Sequence, residues 1–131
     1  MSRICLDTSA YSHFKRGAPA AVESVTRARW VGVPTIVLGE LRTGFLLGQE
    51  CERNERELSL FLNHPAVEVL DVDAEAARQY AEIMASLCRA GTPLPTNDVW
   101  IAAISVREGA TVLTYDAHFE SIRRVGCRIL T

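Results

Sequence analysis

The sequence predicts an α/β fold, a short parallel sheet sandwiched by helices. Three observations predict it. Short apolar runs rich in β-branched residues alternate with longer segments of helical period, the pattern of parallel strands joined by covering helices. The chain has 131 residues, 48% of them hydrophobic and 23% charged, a proportion that builds an ordinary core and not a disordered tail. No internal repeat or linker interrupts the pattern, so residues 1–131 read as a single domain.

The elements follow in order. Ile4-Cys5-Leu6 is a first strand ending at Asp7, and Thr8 and Ser9 offer capping hydroxyls for a helix that closes at Gly17. Pro19 starts a second helix through Arg27, and Trp30 to Val33 form a second strand ended by Pro34. Thr35 is expected to cap the segment Ile36 to Gly48, in which Val37, Leu38, Leu41 and Phe45 recur at helical spacing. The charged run from Glu50 to Glu57 leads into Leu58, Leu60, Phe61 and Leu62, a helix with one wet face. Val67 to Leu70 is a brief strand. Asp73 caps the next helix, where Ala77, Tyr80, Ala81, Met84, Leu87 and Cys88 keep helical spacing up to Gly91. Thr92-Pro93-Leu94-Pro95 is loop. Thr96 or Asn97 is expected to cap a helix whose body, Val99 to Ile104, is apolar nearly all round and therefore buried, and Gly109 ends it. Thr111 to Thr114 is a central strand running into Asp116, a short helix continues through Arg124, and Cys127 to Leu130 add a last strand.

Charge and cysteine usage narrow the function. With 14 basic and 16 acidic residues the net charge is −2, which argues against coating nucleic acid by bulk electrostatics. Lys15 is the only lysine; the remaining basic residues are arginines, which grip phosphate through paired hydrogen bonds. Cys5, Cys51, Cys88 and Cys127 form no CxxC pair and have no histidine at ligand spacing, so they do not read as a zinc site. Cys5 and Cys127 lie in or beside apolar runs, as reduced core residues of a cytoplasmic protein do. No signal peptide or membrane-spanning run is found.

The informative feature is the placement of four acids. Asp7 and Asp116 stand at or just beyond strand carboxyl ends, where open parallel sheets place their ligands. Asp98 lies in the first turn of a buried helix, and Glu40 lies among Val37, Leu38 and Leu41. Singly, each has a plainer reading: Asp98 answers the helix dipole, Asp116 opens a turn, and Glu40 sits at the edge of its stripe facing water. Asp7 is less easily dismissed, because Thr8 and Ser9 could cap without a charge. Glu40 is the hardest, since a carboxylate beside a core-facing stripe costs several kcal/mol unless donors, a cation or a wet cleft receive it. Together, the four can meet at one sheet edge. Like charges so gathered call for protonation or a hard divalent cation, and carboxylate oxygens suit Mg²⁺ or Mn²⁺. Gly44 and Gly48, one and two turns beyond Glu40, either leave room beside it or pack closely against another helix.

Asp7-Thr8-Ser9 after the first strand, the segment Ile36 to Gly44 around Glu40, Asn97-Asp98-Val99-Trp100-Ile101-Ala102-Ala103, and Leu113-Thr114-Tyr115-Asp116-Ala117-His118-Phe119 together resemble a PIN-domain ribonuclease. The chain is most similar to the toxin subunits of VapBC-type toxin–antitoxin pairs. The resemblance covers essentially the whole chain, and its four motifs occur in order.

That resemblance implies a PIN-like sheet and helices, a pocket holding Mg²⁺ or Mn²⁺, and endonucleolytic cleavage of RNA. Asp7, Glu40, Asp98 and Asp116 match the family's acids, with Asp116 completing the shell or serving a second ion. Thr8 and Thr114 match hydroxyl positions beside them, where they orient carboxylates or act as ordinary cap and strand-end hydroxyls. Bound metal can supply an activated water, charge neutralisation and support for the leaving oxygen. His118 is a tempting general base, but His13 and His64 are no worse supported, and the chemistry needs no histidine. Arg42, Lys15 and Arg16 are candidate RNA contacts, with Arg123 and Arg124 behind them; each is also an ordinary surface charge. A cognate antitoxin is implied as partner. Phe45, Leu46 and Leu47 exceed one helix stripe and suit a partner helix, a homodimer surface or core packing. The alternative function is a PIN-fold module that binds nucleic acid or regulates without cleaving. A phosphoryl-receiving domain is poorly supported, because it expects a pocket lysine. Setting the four acids aside leaves 14 basic residues facing 12 acids, so the acidic net charge does not weigh against RNA.

Overall fold

The alternating apolar and helical segments fold into parallel strands joined by helices, in a computed structural model that describes residues 2–131. Met1, with which the expected domain starts, lies outside them. In order these are β1 (Arg3–Leu6), α1 (Thr8–Lys15), α2 (Pro19–Arg27), β2 (Trp30–Pro34), α3 (Thr35–Leu47), α4 (Cys51–Leu62), β3 (Val67–Leu70), α5 (Ala74–Arg89), α6 (Thr96–Glu108), β4 (Thr111–Thr114), a 3₁₀ turn (Ala117–Ser121) and β5 (Cys127–Ile129). The α/β class read from the sequence is the one observed.

All strand pairings are parallel, in the order β3-β2-β1-β4-β5. The chain winds outward from β1 through β2 to β3, then returns to lay β4 on the other side of β1. The reversal falls between β1 and β4, and the carboxyl ends of the strands at such a reversal are the usual ligand position in these sheets. The register pairs Leu6 with Leu113, so Asp7 emerges beside Thr114.

Strand pleating sends alternate residues to opposite faces. Ile4, Leu6, Val31 and Val33 join the larger core with Val37, Leu38 and Leu41 of α3, Leu58 of α4 and Val99, Ile101 and Ala102 of α6. Cys5 points the other way, into a smaller cluster with Leu70, Ala76 and Ile104. The Cys5 thiol is pushed up to about 11, chiefly by burial, which makes it an inert core group. The apolar body of α6 is buried, as expected. Gly32 in β2 is dictated by packing: a Cβ there would lie 2.6 Å from both Leu70 Cδ1 and the Trp30 ring. Gly109 ends α6 with φ 64°, the left-handed conformation that favours glycine.

Helix starts depart from expectation. Asp7, and not Thr8 or Ser9, caps α1. Thr35 and Thr96 are first helical residues and not caps, because Pro34 and Pro95 already hold the extended backbone of the N-cap position, with ψ 144° and 143°. Asn97, two residues past Pro95 and already inside the first turn, does not cap, and its side chain is free for other work. The segment after Asp116 is a five-residue 3₁₀ turn that stops at Ser121, short of Arg124.

Candidate active site

Asp7 stands where β1 gives way to α1. Its backbone is extended, and its Oδ1 accepts from the Ala10 amide and from the Ser9 hydroxyl, both at 2.8 Å. Its Oδ2 accepts from the Thr114 hydroxyl at 2.5 Å. Only 5% of the residue is exposed. Burial pushes the Asp7 carboxyl above its ordinary range; the bonds from Thr114, Ala10 and Ser9 pull it back, and the charge of Asp116 raises it again. Thr114, fully buried, also accepts from the Asp116 amide at 2.9 Å, so one hydroxyl ties both strand ends together.

Glu40 projects from α3 and is half-buried. Its Oε1 accepts from the Thr8 hydroxyl at 2.5 Å and its Oε2 from the Asn97 side-chain amide at 3.2 Å. The carboxylate is thus held between the first turns of α1 and α6, and two donors offset its desolvation. Asp98, half-buried in the first turn of α6, receives no hydrogen bond at its carboxylate among the described residues. Burial, then the charges of Asp116, Asp7 and Glu40, push it up to about 6, with His118 opposing. The four acids therefore share one field. Asp116 opens the 3₁₀ turn, its Oδ1 accepting from the His118 amide at 2.9 Å and lying 3.1 Å from His118 Nδ1.

Among the described residues no lysine or arginine pairs with any of the four acids. Arg42 turns to Glu55 on α4 at 3.1 Å, and Lys15 lies 3.8 Å from Glu57. Arg16 is exposed at the far end of α1, and Arg123 is exposed as well. Arg124 is taken by Glu82 at 3.3 Å. Gly44 faces open space, with nothing within 4 Å of an added Cβ, so helix packing does not account for it. Hard oxygen donors crowded together without a counter-cation fit a divalent ion.

Three residues read from the sequence in other roles also shape the cluster. Ser9 donates to Asp7 and accepts from the Tyr115 amide at 3.0 Å, Asn97 holds Glu40, and His118 lies within reach of Asp98 and Asp116. All three stand within the quoted motifs, which is the signal the sequence offers for them. His13 stacks on Tyr115, with ring centroids 3.8 Å apart, bracing the strand end that carries Asp116.

The family model for the PIN domain matches residues 4–125. The chain belongs to the PIN-domain family. Over 91 residues this PIN domain is 34% identical to Ribonuclease VapC4 of Mycobacterium tuberculosis, covering 70% of each chain. It is similar to the solved structure of DNA-bound VapBC from Salmonella typhimurium, with a TM-score of 0.85 and 29% identity over 98% of both chains. It also resembles VapBC-5 from Mycobacterium tuberculosis, a member of the VapBC family of toxin–antitoxin systems, with a TM-score of 0.75, 26% identity, and coverage of 99% of this chain and 100% of the other. Among the described residues no helix is long and apolar enough to cross a membrane.

Proposed function

We propose that this PIN domain is a metal-dependent endoribonuclease, the toxin of a type II toxin–antitoxin pair. The observation that carries the reading is the meeting of Asp7, Glu40, Asp98 and Asp116 at the sheet's switch point with, among the described residues, no lysine or arginine paired to them. These four would hold Mg²⁺ or Mn²⁺. When bound, such an ion supplies Lewis-acid polarisation of the scissile phosphodiester and lowers the proton affinity of the attacking water. The chain's own groups do the positioning. Thr114 and Ser9 fix both oxygens of Asp7, and Thr8 and Asn97 fix those of Glu40. Asp98 and Asp116 keep carboxylate oxygens available at that switch point. Arg16 is the best placed of the candidate basic residues to meet RNA phosphate, since Arg42 and Lys15 face α4 acids. It lies about 13 Å from Asp7 along α1.

Purified protein is expected to cleave RNA with Mg²⁺ or Mn²⁺ and to stop in excess chelator. Cleavage that persists both in chelator and in Asp7→Asn would overturn the reading. Equal cellular effects of wild type and Asp98→Asn would favour a module that acts by binding alone.

The antitoxin is assigned to the end of α3, where Leu46 and Leu47 are 76% and 85% exposed. Coexpression with the cognate antitoxin should give a complex whose mass by light scattering falls to that of the free chain in Leu46→Asp/Leu47→Asp. The same measurement without antitoxin reports pairing of two copies, the expected free state. A complex undisturbed by the double substitution would place the antitoxin elsewhere. Four unpaired cysteines accord with a reducing cytoplasm.

A further inference from the structure

His118 is the one side chain of the cluster whose donor is nitrogen. It sits two residues beyond Asp116 in the 3₁₀ turn, with its backbone amide pinned by Asp116 Oδ1 and its ring 67% exposed. The ring is not turned away from the acids: Nδ1 is 3.1 Å from Asp116 Oδ1, and one donor atom each from Asp98, Asp116 and His118 lie within 4.8 Å of one another. Two neighbouring ligands of an octahedral ion, each about 2.1 Å from it, stand about 3.0 Å apart, and opposite ligands about 4.2 Å. The 3.1 Å between His118 and Asp116 is the spacing of neighbouring ligands, and the 4.8 Å within which all three fall is slightly wider than one ion's shell, so the three would draw in a little to share it.

We infer that His118 is a direct ligand, through Nδ1, of the ion held by Asp98 and Asp116, and that it biases the site toward Mn²⁺ over Mg²⁺. The inference rests on the acidic site being a metal site, as proposed above. Imidazole nitrogen binds first-row transition ions well, whereas Mg²⁺ keeps to oxygen ligands and sheds water reluctantly. An all-carboxylate shell would discriminate less. His118 therefore acts by donating a lone pair and not by removing a proton, and the short turn after β4 is part of the ion's cradle.

The test is pulsed electron paramagnetic resonance on the full-length protein loaded with Mn²⁺ alone, with Mn²⁺ and Mg²⁺ affinities measured by competition. Wild type is expected to show electron spin-echo modulation from directly bound ¹⁴N. His118→Gln should lose that modulation and weaken Mn²⁺ about tenfold while changing Mg²⁺ affinity less than about twofold. His118→Asp, which offers oxygen, should restore Mn²⁺ binding without nitrogen coupling and narrow the preference over Mg²⁺. Circular dichroism checks that each variant is folded. Wild type that binds Mn²⁺ with no nitrogen coupling overturns the role of His118 and leaves the acidic metal site standing. Wild type that binds neither ion overturns both.

Discussion

Asp98→Asn is expected to abolish RNA cleavage and, in chelator at neutral pH, to make the protein more stable. The loss of cleavage should reach about 10³-fold, corresponding to several kcal/mol of transition-state stabilisation withdrawn with one ligand. The gain in stability follows from the same crowding. With its carboxyl pushed up to about 6 when folded, Asp98 holds its proton more tightly in the native than in the unfolded chain, where a value of about 3.9 applies. Its contribution therefore falls as pH rises from about 4 to about 6 and stays unfavourable above that. Discounted for partial exposure, the penalty at pH 7 is roughly 1–2 kcal/mol, and loss of the favourable interaction with the α6 dipole returns a few tenths. Urea titrations at pH 4 and pH 7 in chelator test this: the variant should match wild type at the lower pH and exceed it by about 1 kcal/mol at the higher. A variant that is less stable than wild type at pH 7 and still cleaves would contradict the arrangement of charge described here.

Thr114→Val should cost both stability and activity. The change keeps shape and deletes one hydroxyl, which donates to Asp7 Oδ2 and accepts from the Asp116 amide in a fully buried position. Two partners are left unsatisfied, at about 2–3 kcal/mol together. Cleavage should fall about 10- to 100-fold, the usual effect of releasing a ligand from the group that orients it. Thr114→Ser, which keeps the hydroxyl, should recover most of both. Initial rates on a defined RNA, corrected for folded fraction by urea titration, separate the two effects. A valine variant with wild-type rates per folded molecule would reduce Thr114 to a strand-end residue.

Much of this was legible in the residues. The apolar runs at Ile4 to Leu6, Trp30 to Val33, Val67 to Leu70 and Thr111 to Thr114 are strands because their composition permits little else, and the wholly apolar body of α6 could only be buried. Strand order was not legible, since nothing local in β4 says that it lies beside β1. Side-chain commitments were the other hidden layer. Thr8 looks like a cap, but its hydroxyl goes to Glu40, and Asp7 takes the cap with an oxygen that the Ser9 hydroxyl also binds. Arg42 follows Glu40 by two residues and so points elsewhere on the helix, yet that α4 would present Glu55 to it depends on how α3 and α4 pack. His118 reads as a base because histidine suggests proton transfer; its nearness to Asp98 emerges only when the 3₁₀ turn and α6 meet.

The hydroxyl of Thr114 and the carboxylate of Asp7 are 107 positions apart in the chain. During synthesis, Asp7, Glu40 and Asp98 all emerge before β4, the strand that holds Asp7 in place and delivers Asp116. A nascent or truncated chain ending before Thr111 carries three of the four acids and no assembled site. For an enzyme whose proposed substrate is RNA, this arrangement withholds activity from the growing chain until β4 has been made and has joined the sheet.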